Sequence, residues 1–279
     1  MATTVPETRV SHPIKPLQFP NRPCTPGHVT LVGAGPGDPE LLTLKAARAL
    51  ASAELVLYDQ LVDPAILALL PPQAERIYVG KSAGRHSLSQ QAIIDLMLGL
   101  ARAGRALLRL KGGDPYIFGR GGEEAQALAA AGLSFEVIPG ISAAQAAAAL
   151  GGMPLTHRDH AQTLVLTTGH LREDAQGDSV VDLDWELLAR PRQTVAIYMG
   201  LVALPLISRE LMARGRDPQT PAALVERAAR PGMRCVVGTL QSLPALARAQ
   251  GVQSPALLLI GEVVALHAEL ARPAEVAAA

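Results

Sequence analysis

Short apolar runs alternate with helical stretches from residue 28 onward, and this alternation constrains the chain more than any other feature. Runs at 28–32, 54–58, 76–79, 106–110 and 135–138 are separated by helical patterns at 39–51, 64–69, 89–103 and 122–131. Strands that alternate with helices predict a mostly parallel sheet covered by helices. A second set of runs follows at 163–167, 194–198, 222–225, 235–238 and 256–260, with helical patterns at 202–214 and 240–249. Between the sets, "PGISAAQAAAALGGMPLTHRDH" predicts a helix that starts at Ser142, a good N-cap, and stops at Gly151 and Gly152. The expected architecture is two α/β domains, 27–140 and 155–272, joined through a connecting helix and linker at 141–154, with a cleft between them. Residues 1–26 are proline-dense and are expected to form a flexible tail ahead of the first strand.

Composition narrows what such a fold would bind. Hydrophobic residues make up 49% of the 279 residues and charged residues 18%, which is a well-cored chain and not a disordered one. Formal net charge is zero, so no global field recruits nucleic acid or membrane, and an anionic ligand must be held by placed cations. Aromatics are only 3%, which leaves little for base stacking. Cys24 and Cys235 form no C-x-x-C pair, so neither a zinc site nor a disulfide framework is expected. The N-terminus lacks the apolar core of a signal peptide and no run reaches the length of a membrane span. A cytoplasmic protein is the expectation.

The first loop, in "HVTLVGAGPGDPELLTLKAARAL", tests a dinucleotide reading directly. Gly33, Gly35 and Gly37 give G-x-G-x-G, with the third glycine one position too early for the Rossmann fingerprint. Asp38 stands where that glycine belongs, and Pro36 and Pro39 each remove a backbone donor. Asp59 lies at the distance a ribose-binding acid would occupy, but the loop chemistry is wrong for a diphosphate. A ligand-free glycine connection remains open from this loop alone.

The strongest local signal is "LLRLKGGDPYIFGRGGEEAQAL". A strand runs into Gly112 and Gly113, which leave room for a ligand against the backbone, and Asp114 adds a carboxylate at the sheet's C-terminal edge. Glu123 and Glu124 suit the first turn of a helix, and Arg120 sits among glycines with little to pack against. "THRDH" places His157 and His160 three apart without a third ligand, so a cationic patch of His157 and Arg158 is preferred to a metal. "GKSAGRHS" puts Lys81, Arg85 and His86 on a loop after a strand. Signatures of phosphate loops, serine hydrolases and zinc proteases are absent.

Taken in order, "VGAGPGDPELLTLKA", "GK", "RLKGGDPYIFGRGGEE", "VIPGISAA", "PLTHRD", "TGH" and "YMG" resemble uroporphyrinogen-III C-methyltransferases over roughly residues 28–270. The resemblance implies a homodimer of two α/β domains that binds S-adenosyl-L-methionine as co-substrate in the interdomain cleft. It implies methyl transfer to C2 and C7 of uroporphyrinogen III, giving precorrin-2 for siroheme, cobalamin or heme d1, with S-adenosyl-L-homocysteine released. By position it implies cofactor contacts at Pro36, Gly112, Gly113, Asp114, Ile117, Ser142, Ala143, Met199 and Ala228. It implies a catalytic part for Arg120 and substrate contacts at Glu123 and Arg158, with Lys81 and Arg85 as further cations for the substrate carboxylates. Ser142 stands where relatives often have threonine, and Arg227 where they often have asparagine. The length leaves no room for an added dehydrogenase or ferrochelatase domain, so a monofunctional chain is expected. Alternatives are a methyltransferase for a later corrinoid precursor, an NAD(P)-dependent reductase and a non-catalytic tetrapyrrole carrier.

Overall fold

The computed structural model describes residues 26–80, 88–173 and 179–271. In the first half, β1 (Val29–Gly33), β2 (Leu55–Tyr58), β3 (Glu75–Tyr78), β4 (Leu107–Lys111) and β5 (Phe135–Ile138) form one sheet in the order β3-β2-β4-β1-β5. Every pairing in it is parallel. The crossovers carry α1 (Leu44–Ala51), α2 (Pro64–Leu67), α3 (Gln90–Arg102) and α4 (Gly121–Ala130).

The two faces of this sheet have separate cores. Leu107 packs with Ile93 and Met97 of α3 and Ala125 and Leu128 of α4. Leu108 and Leu110 pack with Ala46 and Leu50 of α1 and Ile66 of α2. Alternation along β4 thus assigns α1 and α2 to one face and α3 and α4 to the other. The consequence is topological. β1 and β4 are neighbours, yet the chain leaves β1 for α1 on one face and leaves β4 for α4 on the opposite face. Such a switch point opens a crevice beyond the strands' C-terminal ends, where open α/β sheets bind ligands.

One expectation needs correction here. The helical pattern at 39–51 is two elements, a 3-10 turn at Pro39–Leu41 and then α1. The Asp38 side chain caps the turn by accepting from Glu40 N, and the Thr43 side chain restarts the helix by accepting from Ala46 N. The N-terminus of α1 is therefore set back from the glycine loop, and the pyrophosphate seat that a dinucleotide needs is missing.

The second half adds α5 (Ala143–Leu150), β6 (Thr163–Thr168), a small antiparallel ribbon of β7 (Arg172–Glu173) and β8 (Ser179–Val180), α6 (Trp185–Leu188) and β9 (Gln193–Tyr198). Then come α7 (Leu204–Ala213), β10 (Pro221–Glu226), β11 (Arg234–Thr239), α8 (Leu243–Ala249), β12 (Ala256–Ile260) and α9 (His267–Leu270). Its main sheet has the order β11-β10-β12-β9-β6 and is mixed: β6 and β9 are parallel, while β12 runs against both β9 and β10. It follows that β6, β9 and β10 all end on the same edge. α7 and α8 cover one face through Leu204, Ile207, Leu211, Leu243 and Ala247. The other face receives Ala144 and Ala147 of α5 together with Met153. The run of alanines lets α5 lie close on the strands, so the helix packs with the second sheet.

Candidate active site

Three loops meet where β1, β4 and β5 end. Gly35 N donates to Gly113 O at 3.1 Å and Gly113 N donates to Gly35 O at 2.7 Å, an isolated two-way bridge across the switch point. A methyl on Gly33 would lie 2.6 Å from Gly140 N, and one on Gly112 would lie 2.7 Å from Leu61 Cβ, so both glycines are required by close backbone approach. Gly113 differs. Its φ of 70° is left-handed, and a methyl there would meet nothing nearer than Ala143 N at 4.0 Å. Gly113 therefore borders open space beside the first turn of α5, a cradle that a bound cofactor could fill.

Asp114 holds this arrangement in place. One carboxylate oxygen accepts from Tyr116 N at 2.8 Å and the other from Gly140 N at 3.0 Å, so the acid ties the loop after β4 to the loop after β5. Ile117 follows in the same turn, its N–H donating to Asp114 O. Ser142 is buried and starts α5, with the Gln145 side chain accepting from Ser142 N at 2.9 Å. Ala144 N donates to the Tyr198 hydroxyl at 3.1 Å. Tyr198 ends β9, and its ring packs at a tilt 4.8 Å from that of Phe118, which brings the second half's edge onto the loop after β4. Met199 comes next, half-exposed and left-handed at φ 55°. At the end of β6 on the same edge, the Thr168 hydroxyl is buried with no protein partner, so a polar ligand group has something to meet there.

Ala228 lies in the loop 227–233 after β10, between Arg227 and Ala229, which take φ of 53° and 57°. Phe118 and Arg120 are left-handed too. Five of the six non-glycine residues with positive φ among the described residues therefore stand on the loops that border the crevice; Arg192 is the exception. Such backbone costs about 1–3 kcal/mol per residue and gathers at functional sites.

Arg120 is exposed at the start of α4, and its fork is bidentate on Glu123 at 2.8 and 2.7 Å. Hydrogen bonding to that partner raises the arginine and holds the Glu123 carboxyl below the usual range. Both residues line an open concavity of about 600 Å³ with Tyr116, Gln126 and Phe135. Arg158 is exposed at the tip of the turn closed by His157 and Ala161, and forms no ion pair with a described residue. The rings of His157 and His160 pack at a tilt with centroids 4.7 Å apart, and no metal-binding group of three ligands occurs among the described residues. Lys81, Arg85 and His86 lie outside the described residues, as do Cys24 and the tail.

Two features were not anticipated from sequence. The first is a buried charge cluster under the loop after β4. One Glu124 oxygen accepts from Gln90 Nε2 at 3.2 Å, Arg109 Nε at 3.2 Å and Lys111 Nζ at 3.1 Å. Arg109 also reaches Asp59 at 3.1 Å, while the second Glu124 oxygen has no partner. Burial pushes the Lys111 ammonium down, and neighbouring Arg109 adds to this, with Glu124 and Asp59 opposing. The signal was present as charges at 109 and 111 in a strand otherwise made of leucine. The second is Arg230, whose guanidinium reaches from the loop after β10 to the carbonyls of Pro36 and Leu61.

The sequence profile of the tetrapyrrole (corrin/porphyrin) methylases matches residues 28–244. The chain belongs to that family. Its tetrapyrrole-methylase sequence is 53% identical over 244 residues to a siroheme synthase of Thioalkalivibrio sulfidiphilus, covering 88% of this chain and 49% of that protein. It is 55% identical over 240 residues to one of Gluconacetobacter diazotrophicus, covering 86% and 50%. The chain thus spans about half the length of the curated relatives it matches. Among solved structures, uroporphyrin-III C-methyl transferase from Thermus thermophilus, complexed with S-adenyl homocysteine, is 44% identical with a TM-score of 0.71, covering 86% of this chain and all of that one. A cobalt precorrin-4 methyltransferase is 30% identical with a TM-score of 0.73, covering 85% and 95%.

Proposed function

We propose that this methylase transfers methyl groups from S-adenosyl-L-methionine to C2 and C7 of uroporphyrinogen III, giving precorrin-2. The observation that carries the reading is the likeness to the Thermus uroporphyrin-III enzyme over that enzyme's whole length, in a chain whose own crevice has open space beside Gly113. When bound, the co-substrate supplies a methyl on a sulfonium, ready for in-line displacement by an electron-rich pyrrole carbon.

What the chain's residues contribute is chiefly alignment, an effect worth up to about 7–11 kcal/mol in favourable cases. Pro36, Gly112, Gly113, Ile117, Ser142, Ala143, Met199 and Ala228 are proposed to hold the co-substrate at the crevice. Asp114 serves positioning. Both its oxygens are engaged by backbone N–H groups, and pairing a charge that vanishes as the methyl leaves would stabilise the ground state. Arg120 is unsuited to act as a free base, because a guanidinium stays protonated. Its fork, held ready by Glu123, suits a substrate carboxylate. The pair is exposed, and exposed pairs contribute only about 0–1 kcal/mol, so a change of partner costs little. Arg158 is proposed as a second anchor, and Lys81 and Arg85 as further cations.

The same reading takes 27–140 and 155–272 as two domains linked through 141–154, and the active form as a cytoplasmic homodimer. No helix among the described residues is long and apolar enough to cross a membrane. The decisive assay incubates the protein with S-adenosylmethionine and enzymatically made uroporphyrinogen III, then weighs the product. The likeness to a cobalt precorrin-4 methyltransferase favours a second reading, a later corrinoid substrate, and a substrate panel separates the two.

A further inference from the structure

Arg230 is the polar link between the two edges of the crevice that the functional reading leaves unused. It stands in the turn between β10 and β11, where Arg230 N donates to Arg227 O at 3.0 Å and Met233 N donates to Arg230 O at 3.1 Å. The turn is pinned to its own half by Arg227 N donating to Pro255 O at 2.9 Å. From that anchored base the side chain crosses to the first half. Its Nε donates to Pro36 O at 3.0 Å, a second nitrogen donates to Leu61 O, and Asp63 lies 3.9 Å away. The side chain is only 15% exposed, unusual for an arginine that serves solubility.

The neighbouring backbone is shaped around it. A methyl on Gly37 would lie 2.6 Å from Arg230 Cγ, so the glycine is what lets the arginine stem pass. Leu61 in turn lies against Gly112, where a methyl would come within 2.7 Å of Leu61 Cβ. One guanidinium therefore touches the loop carrying Pro36 and the loop that backs Gly112, while its own loop carries Ala228. Burial disfavours its charged form and Asp63 opposes that loss, which fits a cation retained for its geometry.

We propose that Arg230 is a positioning residue for the co-substrate, a tie that fixes the spacing between the loop of Pro36 and the loop of Ala228. The inference rests on the reading that this crevice takes S-adenosylmethionine. The guanidinium's planar fork sends its donors in fixed directions from a long stem, so it holds two carbonyls of different loops at a set spacing, whereas the donors of an ammonium rotate freely and an amide stem is shorter and uncharged.

The test measures S-adenosylhomocysteine affinity by calorimetry, melting temperature and steady-state kinetics for the wild type, Arg230→Gln, Arg230→Lys and Arg234→Gln. Arg234 belongs to the same hairpin and pairs with Glu226 instead of crossing the crevice, so it reports structural loss alone. Arg230→Gln is expected to weaken S-adenosylhomocysteine binding by about tenfold to a hundredfold. It is expected to raise the KM for the donor in proportion while kcat at saturating donor changes less. Arg230→Lys, which keeps the charge but not the planar fork, falls between, and it carries the test if the glutamine variant does not fold. Arg234→Gln is expected to lower the melting temperature and leave the affinity alone. If the wild type binds and both Arg230 variants bind equally well, whatever their melting temperatures, the inference is overturned. If the wild type itself fails to bind, the functional reading fails first.

Discussion

Arg120 is held at φ 59°, exposed, with its Nε and one terminal nitrogen bonded to a glutamate in the first turn of the helix it precedes. That geometry suits planar carboxylate recognition, and a lysine cannot reproduce it. Arg120→Lys is expected to lower turnover roughly 10- to 100-fold, the worth of about 1.5–3 kcal/mol for hydrogen bonds to charged groups, with S-adenosylhomocysteine affinity retained. Wild-type turnover in that variant would show the side chain to be an ordinary solvated charge. Gly113 is the complementary case. Its added methyl would come no closer than 4.0 Å to Ala143 N, an ordinary contact, so Gly113→Ala should cost only the left-handed backbone penalty of about 1–2 kcal/mol. Its effect on S-adenosylhomocysteine affinity should be far larger than its effect on the denaturant midpoint. Equal, small effects on both would remove that loop from the site.

At the scale of elements, β4 and the start of α4 carry both the fold and the candidate site. The sequence pattern placed every strand of both main sheets within a residue or so, because buried parallel strands and hairpins alike read as short apolar runs. It also found the glycine loops, since close backbone approach admits no other residue. What it could not supply was the face on which each residue falls. Arg109 and Lys111 look like interruptions of a leucine run, and Glu124 looks like a helix-start acid; only the packing of α4 on β4 joins them in a buried cluster. Arg230 was hidden for a related reason, because its partners lie far away in the chain. Glu124→Leu leaves Arg109 and Lys111 buried without their shared acid and is expected to cost about 3–5 kcal/mol in urea unfolding. A loss well below that would mean water reaches the cluster. Lys111 also has a pH signature. Its folded pKa lies below the ordinary lysine value, so the unfolded chain binds the proton more tightly. The resulting cost is full below the folded pKa and is relieved as pH rises towards the ordinary value. Lys111→Met should therefore flatten the alkaline rise in stability of the wild type; an unchanged profile would assign that rise to another group.

Over the whole molecule, two unlike sheets are set edge to edge. The first is fully parallel and offers a switch point; the second is mixed but sends the ends of β6, β9 and β10 to one side. Among the described residues, Phe118 against Tyr198 and Arg230 against Pro36 and Leu61 bind these edges together. The proposed reading seats the donor in this crevice, with Arg120 and Arg158 as anchors for a polycarboxylate that a chain with no net charge does not attract from afar. The central claim is that both reactants meet in this crevice. The most direct measurement is the mass of the product formed from uroporphyrinogen III and S-adenosylmethionine bearing a labelled methyl. The account predicts a tetrapyrrole carrying two labelled methyl groups with one S-adenosylhomocysteine released for each. Recovery of unlabelled tetrapyrrole with the donor intact would contradict it.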